Sequence, residues 1–164
     1  MKNIKEYNLD ELKQELISLG EKGYRAEQIF NWLYVEKVKS FDDMTNLSLE
    51  LREKLKQNYT MCNFEILSKQ ESSDGTKKYL FDVLDGNAIE TVLMQYHHGK
   101  TICVSSQIGC KMGCKFCAST GIAFVRGLTS GEIVEQILAV EQDIGEHISN
   151  IVFMGIGEPF DNYD

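Results

Sequence analysis

The chain has 164 residues and a formal charge of −8, from 17 Lys plus Arg and 25 Asp plus Glu. Hydrophobic residues make up 43% and charged residues 26%, a balance that is typical of folded domains and excludes a disordered protein. The sequence has neither a run of 18 apolar residues nor an apolar N-terminal signal segment, so we expect a cytoplasmic protein without a membrane span. The acidic balance argues mildly against nucleic acid as a partner, because phosphate contacts favour a basic surface.

Residues 1–60 carry apolar side chains at the spacing of three and four residues that is typical of one helix face. The spacing is clearest at Leu9, Leu12, Leu16 and Leu19. It predicts a first helix over about 9–19, with Asn8 as its N-cap and Gly20 as its stop. Similar patterns predict two further helices, over 25–35 and 49–57. We therefore expect a small helical domain at the N-terminus.

From Phe64 onward the apolar spacing changes to two, which is typical of strands. Three runs rich in β-forming residues occur at 64–71, 77–84 and 88–95. The dipeptides Asp74-Gly75 and Asp85-Gly86 separate these runs and are typical of tight turns. The pattern predicts an antiparallel β meander.

The pattern in the last third of the sequence predicts a strand, a helix and a second strand. A β run over 101–105 is followed by a helix over about 130–145, which opens on the capping-box pair Thr129 and Glu132. The short apolar run 151–154 is predicted to be a buried strand. A helix between two strands indicates a βαβ unit with parallel pairing and a right-handed crossover.

Together these patterns predict an α/β fold in three parts. The parts are a small helical N-terminal domain at 1–60, an antiparallel β meander at 61–99 and a first βαβ unit at 100–164. Parallel strands are normally buried within a larger sheet, so two of them alone leave an uncovered edge. A partner or a longer chain would complete the sheet, and we favour the interpretation that this sequence is a piece of a longer protein.

Three of the five cysteines lie within eight residues, in the pattern C-x3-C-x2-C after a predicted strand. They are Cys110, Cys114 and Cys117. Such a triplet is too compact for a disulfide framework and suggests metal chemistry. Three thiolates suit an iron–sulfur cluster in which one iron stays open for another ligand. Phe116, between the last two cysteines, is expected to shield such a cluster from water.

Other interpretations of these residues remain open at this point. A zinc site with His97 or His98 as the fourth ligand is possible, as are core cysteines that bind nothing, although zinc ligands usually come as two separated pairs. Glu90 could be a strand-face carboxylate, in an apolar setting that its neighbours in sequence predict. Cys103 could be an inert buried thiol and Glu158 an ordinary loop acid.

The segments around the triplet carry a resemblance to a known family. They read CVSSQIGC at 103–110, CAST at 117–120 and MGIGEP at 154–159, with YRAEQIF at 24–30 and MTNLS at 44–48. Together they closely resemble the RlmN family of dual-specificity adenine-C2 RNA methyltransferases, a branch of the radical S-adenosylmethionine (SAM) superfamily. The resemblance spans nearly the whole chain and implies that 100–164 begins a partial (βα)-barrel of radical SAM type, truncated here. Gly127 departs from the family, which commonly has Asn at this position.

The resemblance also implies roles for individual residues. Cys110, Cys114 and Cys117 correspond to the ligands of a 4Fe-4S cluster. Gly157 and Glu158 correspond to the segment that receives the methionine ammonium of SAM. Glu90 corresponds to the proton acceptor, and Cys103 to the thiol that resolves a covalent RNA adduct through a transient disulfide.

The function that the resemblance implies is methylation of C2 of an adenosine in 23S ribosomal RNA and beside the anticodon of tRNA. The implied cofactors are SAM and the 4Fe-4S cluster, and an implied partner is an electron donor such as flavodoxin. We expect a cytoplasmic monomer in the full-length form. The cysteine that carries the methyl group in the family is not in this chain, so these 164 residues alone are expected to be inactive.

Two alternative functions remain. The sister family that confers antibiotic resistance methylates C8 of the same ribosomal adenosine, and the long helical N-terminal segment favours C2 instead. A non-catalytic module that binds zinc or RNA is the alternative outside enzymes.

Overall fold

A computed structural model describes residues 1–97 and 99–163, and the chain divides into two compact units, Met1–Asn63 and Phe64–Asp164. His98, one of the two histidines considered as a zinc ligand, lies outside the described residues. Within the described ranges, no helix combines the length and the apolar character that crossing a membrane requires.

The first unit is helical. Its elements are strand β1 (Lys2–Asn3), a 3-10 turn (Ile4–Glu6), helix α1 (Leu9–Ser18), helix α2 (Arg25–Phe30), a π-helical turn (Asn31–Val35), a 3-10 turn (Phe41–Asp43), helix α3 (Leu49–Asn58) and strand β2 (Tyr59–Thr60). Strands β1 and β2 pair in parallel. The three predicted helices are confirmed, with one difference: the α-helical part of the second ends at Phe30 and the π-helical turn completes the segment.

The apolar repeats of the sequence form the core of this unit. Leu12, Leu16, Leu51 and Leu55 are all at most 1% exposed. The predicted cap is also confirmed: the side-chain oxygen of Asn8 accepts the N–H of Glu11 at 2.9 Å, and the Glu11 carboxylate accepts the N–H of Asn8 at 2.9 Å. These two reciprocal hydrogen bonds satisfy two backbone N–H groups that the start of a helix otherwise leaves without partners.

The second unit is built on a mixed sheet. Its elements are strands β3 (Glu65–Glu71), β4 (Lys77–Asp82), β5 (Ala88–Tyr96), β6 (Gly99–Cys103), β7 (Gln107–Ile108) and β8 (Arg126–Gly127), helix α4 (Ser130–Ile144), strand β9 (Asn150–Val152) and a 3-10 turn (Pro159–Asn162). The five-stranded sheet has the order β3-β4-β5-β6-β9, and β7 pairs with β8 separately. Strands β3, β4 and β5 are antiparallel neighbours, which confirms the predicted meander.

The predicted strand, helix and strand are present, and β6 and β9 pair in parallel. Helix α4 begins with the predicted capping box of Thr129 and Glu132. The same sheet contains the meander, because β5 also pairs with β6. The α/β class is therefore confirmed, while the partial-barrel geometry and the division at 1–60, 61–99 and 100–164 stay predictions.

One prediction about this sheet is wrong. The run 151–154 is not a buried strand: β9 ends at Val152, Ile151 is 48% exposed and Met154 is 79% exposed. The reason is position, since β9 is the last strand in the sheet order and, among the described residues, has β6 as its only neighbour. A strand at the edge of a sheet leaves apolar side chains open on its free side.

Candidate functional site

Helix α4 packs against one face of the five-stranded sheet, where its side chains bond to strands β4 and β5. Tyr79 and Thr91, which are cross-strand partners, are buried beneath the helix and bond to side chains that it carries. Successive strand residues point to opposite faces, so Glu90 lies on the face away from α4. Cys103 is the cross-strand partner of Val92 and shares that face. Glu90 and Cys103 are thus diagonal neighbours, a relation that corresponds to about 7–8 Å between Cα atoms.

The setting of Glu90 is polar, contrary to the expectation from its neighbours in sequence. Its carboxylate forms an ion pair with the Lys78 ammonium at 2.9 Å, and both side chains are 44% exposed. The apolar neighbour Ile89 is 1% exposed because it points to the opposite face, beneath α4. The predicted apolar setting is therefore wrong.

Cys103 is a half-buried free thiol at the end of β6. Burial raises the pKa of the Cys103 thiol above its ordinary value, and a hydrogen bond from the Met154 backbone opposes this only in part. Since the thiolate is the nucleophilic form, the raised pKa lowers the reactivity of Cys103 at neutral pH.

We expect the alkylation of Cys103 by iodoacetamide to be slow near pH 7 and to keep rising beyond the pH at which an ordinary thiol has levelled off. The reason is the raised pKa, which moves the midpoint of the pH–rate curve upward. Mass spectrometry of the Cys103 peptide from about pH 7 to pH 10 measures the curve. A short unfolded peptide of the same sequence is the control, because limited access lowers the rate at every pH without moving the midpoint. Coincident midpoints would contradict the expectation.

The cysteine triplet lies on the loop between β7 and β8. Cys114 and Cys117 are exposed and Cys110 is half-buried. The N–H of Cys117 donates to the carbonyl of Cys114 at 3.1 Å, and the N–H of Met112 points at the Cys110 sulfur at 3.5 Å. Three thiols on one short exposed loop, with a backbone donor directed at a sulfur, match the donor set that an iron–sulfur cluster uses.

Among the described residues, the cysteines and histidines that were expected to bind a metal do not form a metal site. No three His, Cys, Asp or Glu side chains within residues 1–97 and 99–163 are arranged to hold a metal ion, and this covers the triplet and His97 alike. Phe116 does not shield the cysteines, as its side chain is 93% exposed. The loop from 114 to 117 is itself exposed, so a side chain between two of its cysteines has little to pack against.

The segment that carries Gly157 and Glu158 lies directly against residues 104–107. The N–H of Gly155 donates to Val104 at 3.1 Å, and the carbonyl of Ile156 accepts the N–H of Ser106 at 3.0 Å. A Cβ atom on Gly157, where φ is +113°, would lie 2.6 Å from the Ser106 hydroxyl oxygen. Glycine is therefore required for this close approach.

Glu158 is held at both its backbone and its side chain. Its N–H donates to the Gln107 amide oxygen at 3.1 Å, and its carboxylate accepts the N–H of Phe160 at 3.0 Å. The structure thus brings the 155–158 segment and the strand before the cysteine loop side by side, at the carboxyl ends of the parallel strands β6 and β9. Ligand sites of α/β sheets lie preferentially at this end.

Sequence reasoning missed Gln136, a fully buried residue of α4. Its amide oxygen accepts the Thr91 hydroxyl at 2.7 Å and the Ser105 N–H at 2.9 Å, and its amide nitrogen donates to the Ser105 carbonyl at 2.9 Å. These bonds hold the backbone where β6 leads into the site. The sequence did contain a sign of this role, because Gln136 lies among apolar residues of a predicted helix. A polar side chain in such a place is expected to have buried hydrogen-bond partners.

The structure also explains why glycine fits at position 127, where the family pattern led us to expect Asn. A Cβ atom at this position would lie 2.0 Å from the side-chain oxygen of Asn162. The Asn162 amide donates to the carbonyls of Ser106 and Leu128, both at 2.9 Å, and so joins three segments around the site. Glycine at 127 leaves the space that this amide occupies.

Comparison with known proteins gives a consistent result. Residues 2–61 match the RlmN_N family model, described as the ribosomal RNA large subunit methyltransferase N-terminal domain. A probable dual-specificity RNA methyltransferase RlmN from Clostridium novyi is 53% identical over an alignment of 165 positions, which covers 100% of this chain and 48% of that protein. The corresponding protein from Bacillus subtilis is 50% identical, over 99% of this chain and 46% of its own length.

A solved structure is also closely similar. The crystal structure of a radical SAM methyltransferase from Sphaerobacter thermophilus has a TM-score of 0.90 and 40% sequence identity, over 99% of this chain and 49% of that chain. The chain spans about half the length of the curated relatives that it matches. From its sequence and its fold together, this chain belongs to the RlmN family.

Proposed function

We propose that this chain provides the cluster-binding and SAM-binding part of a radical SAM RNA methyltransferase that modifies C2 of adenosine in 23S ribosomal RNA and in tRNA. The observation that supports this most is the arrangement of two segments. Residues 104–107 follow β6 and residues 155–158, the G-x-G-E segment, follow β9, and these two segments are hydrogen-bonded side by side. The C-x3-C-x2-C loop comes directly after the first of them, between β7 and β8.

In this proposal, Cys110, Cys114 and Cys117 hold a 4Fe-4S cluster through their thiolates. A bound cluster supplies the electron with which SAM is cleaved reductively. The Glu158 carboxylate receives the ammonium of the cofactor, because opposite charges in a hydrogen-bonded pair are favourable. Gly157 brings the backbone of this segment close enough to the strand for Glu158 to be held there.

Glu90 and Cys103 act together on the RNA adduct in this proposal. Glu90 accepts the proton that leaves C2 of the modified adenosine. The Cys103 thiolate attacks the sulfur of the cysteine that carries the RNA adduct: a disulfide forms, the carbon–sulfur bond to the RNA breaks, and its electron pair stays with the released carbon, which becomes the methyl group on taking up a proton. Because Glu90 and Cys103 lie on the same face of the sheet, both side chains can reach the same bound substrate, which supports this proposal. The raised pKa of Cys103 supports a thiol that stays protonated until a neighbouring base accepts its proton.

The finer features belong to the same proposal. They are a partial (βα)-barrel begun by 100–164, an electron donor of the flavodoxin type, a cytoplasmic location and a monomeric full-length enzyme. RNA methylation by these 164 residues alone is not expected, because the relatives are about twice as long. C2 is favoured over C8 because both curated relatives above carry the RlmN name.

The cluster part of the proposal is tested by anaerobic reconstitution with iron and sulfide. We expect broad visible absorption and about four irons per chain in the parent protein. Cys114→Ser should lose most of this iron, whereas Cys62→Ser, which changes a cysteine of the helical unit, should keep it. A parent protein without iron or acid-labile sulfide, or equal iron in both variants, would refute cluster binding by the triplet.

The reaction is tested by joining this chain to the remaining half of the Clostridium novyi relative. Mass spectrometry of RNA treated with the chimera, SAM and a reductant should detect adenosine methylated at C2. Glu90→Gln in the chimera should abolish the product while the iron content stays unchanged. Product methylated at C8 would instead support the sister activity.

A further inference from the structure

The loop that carries the cysteines and the segment that carries Glu158 are joined by three side chains. We refer to Gln107, Lys111 and Asp161 as the loop tether. One carboxylate oxygen of Asp161 accepts the Gln107 amide N–H at 3.1 Å and pairs with the Lys111 ammonium at 3.0 Å. Lys111 directly follows Cys110, and Asp161 lies three residues after Glu158.

The tether continues to Glu158 through the other end of Gln107. The Gln107 amide oxygen accepts the Glu158 N–H at 3.1 Å, so this one side chain contacts both Glu158 and Asp161. Gln107 is 1% exposed and is therefore a fixed point. Lys111 has a further contact, since its ammonium lies 4.2 Å from the centre of the Phe124 ring.

The exposure of the ion pair indicates what it can do. The Lys111 side chain is 51% exposed and the Asp161 side chain is 32% exposed. An exposed ion pair contributes little to the global stability of a protein. Its effect is therefore local: it limits where the first part of the cysteine loop lies relative to the segment with Glu158. Both segments belong to the unit Phe64–Asp164.

We propose that Asp161 and Lys111 are positioning residues, which hold the cysteine loop and the Glu158 segment in register so that both reach the same SAM molecule. This inference rests on the proposed function for its ligand, because the cysteines and Glu158 are there the two parts of the site. A ligand held at two points binds more tightly when both points are placed in advance. Neither Asp161 nor Lys111 touches the cofactor in this proposal.

The first test needs no cluster. Hydrogen exchange of the peptide covering 110–117 is measured by mass spectrometry in the metal-free chain. Asp161→Asn and Lys111→Met should each increase exchange several-fold. The charge reversal Lys111→Asp with Asp161→Lys should restore part of the protection, because it re-forms the ion pair although a lysine at position 161 cannot accept the Gln107 N–H. Lys115→Met, an exposed lysine of the same loop outside the tether, should leave exchange unchanged.

The second test uses the reconstituted chain and SAM itself. Asp161→Asn should weaken SAM binding about tenfold while the iron content stays at the parent value, and the charge reversal should recover part of the affinity. A merely structural role would instead lower iron content and thermal stability together, and the reversal would not rescue either.

The outcomes separate the two proposals. A parent chain that takes up no iron contradicts the proposed function, while the exchange result still decides whether the tether holds the loop. If the parent binds iron and SAM but Asp161→Asn changes neither exchange nor affinity, the tether proposal is overturned. It is also overturned if Lys115→Met changes exchange as much as Lys111→Met does.

Discussion

Gln136→Met is expected to lower the free energy of unfolding of the unit Phe64–Asp164 by about 3 kcal/mol or more. Methionine has a similar length, so the substitution fills the space but removes the amide. The Ser105 N–H, the Ser105 carbonyl and the Thr91 hydroxyl then lose a buried partner. Ser105 and Thr91 are both 0% exposed, so water cannot replace the amide without rearrangement, and each unpaired group costs about 1–3 kcal/mol.

Urea unfolding followed by far-UV circular dichroism measures this loss. Trp32 fluorescence recorded alongside follows the helical unit Met1–Asn63 separately, since Trp32 is the only tryptophan of the chain. The matched control is Gln70→Met on β3, an exposed position where the change should stay within about 0.5 kcal/mol. Equal effects of the two substitutions would show that the Gln136 amide does not hold the strand end.

Gly109→Ala is the second substitution for which we expect a large effect, because it acts on the backbone at the start of the cysteine loop. Gly109 has φ of +72°, and a Cβ atom there would lie 2.0 Å from the carbonyl oxygen of Ala123. Backbone atoms cannot move aside as a flexible side chain can. The loop must therefore shift, and the hydrogen bond from the Cys110 N–H to Ile122 at 3.4 Å should be lost.

Gly113→Ala is the control for Gly109→Ala. Gly113 has φ of +64°, but a Cβ there would meet no atom of the described residues within 4 Å beyond its own chain neighbours. Alanine should therefore cost only the left-handed backbone conformation, roughly 1 kcal/mol. Gly109→Ala should cost about 2 kcal/mol or more and should also lower iron uptake on reconstitution. Thermal unfolding and iron analysis measure both effects, and equal losses at the two glycines would contradict the packing argument.

Local features of this protein were predictable from the sequence because they depend on residues close together in the chain. The leucine repeat marks α1 and α3, since helical neighbours lie three and four residues apart. Asn8 and Thr129 identify helix starts through bonds to residues three positions later. The cysteine triplet is equally local, so its place on a loop after a strand could be inferred without the fold.

The tertiary structure alone decided which distant residues meet. The apolar neighbours of Glu90 suggested an apolar setting, but its cross-strand surroundings include Lys78, and the register of β4 and β5 determines that contact. The exposure of Ile151 likewise follows from strand order, which no local pattern specifies.

The contacts that hold the candidate site are of this second kind. Gln136 and Ser105 are 31 residues apart, and Lys111 and Asp161 are 50 residues apart. A spacing rule reaches only the next turn of a helix or the next position of a strand face, whereas these pairs depend on which distant segments the tertiary structure brings together. The sequence by itself therefore determined most of the elements and the place of the candidate cysteine triplet, and the packing of the sheet and helix decided what lies around that triplet.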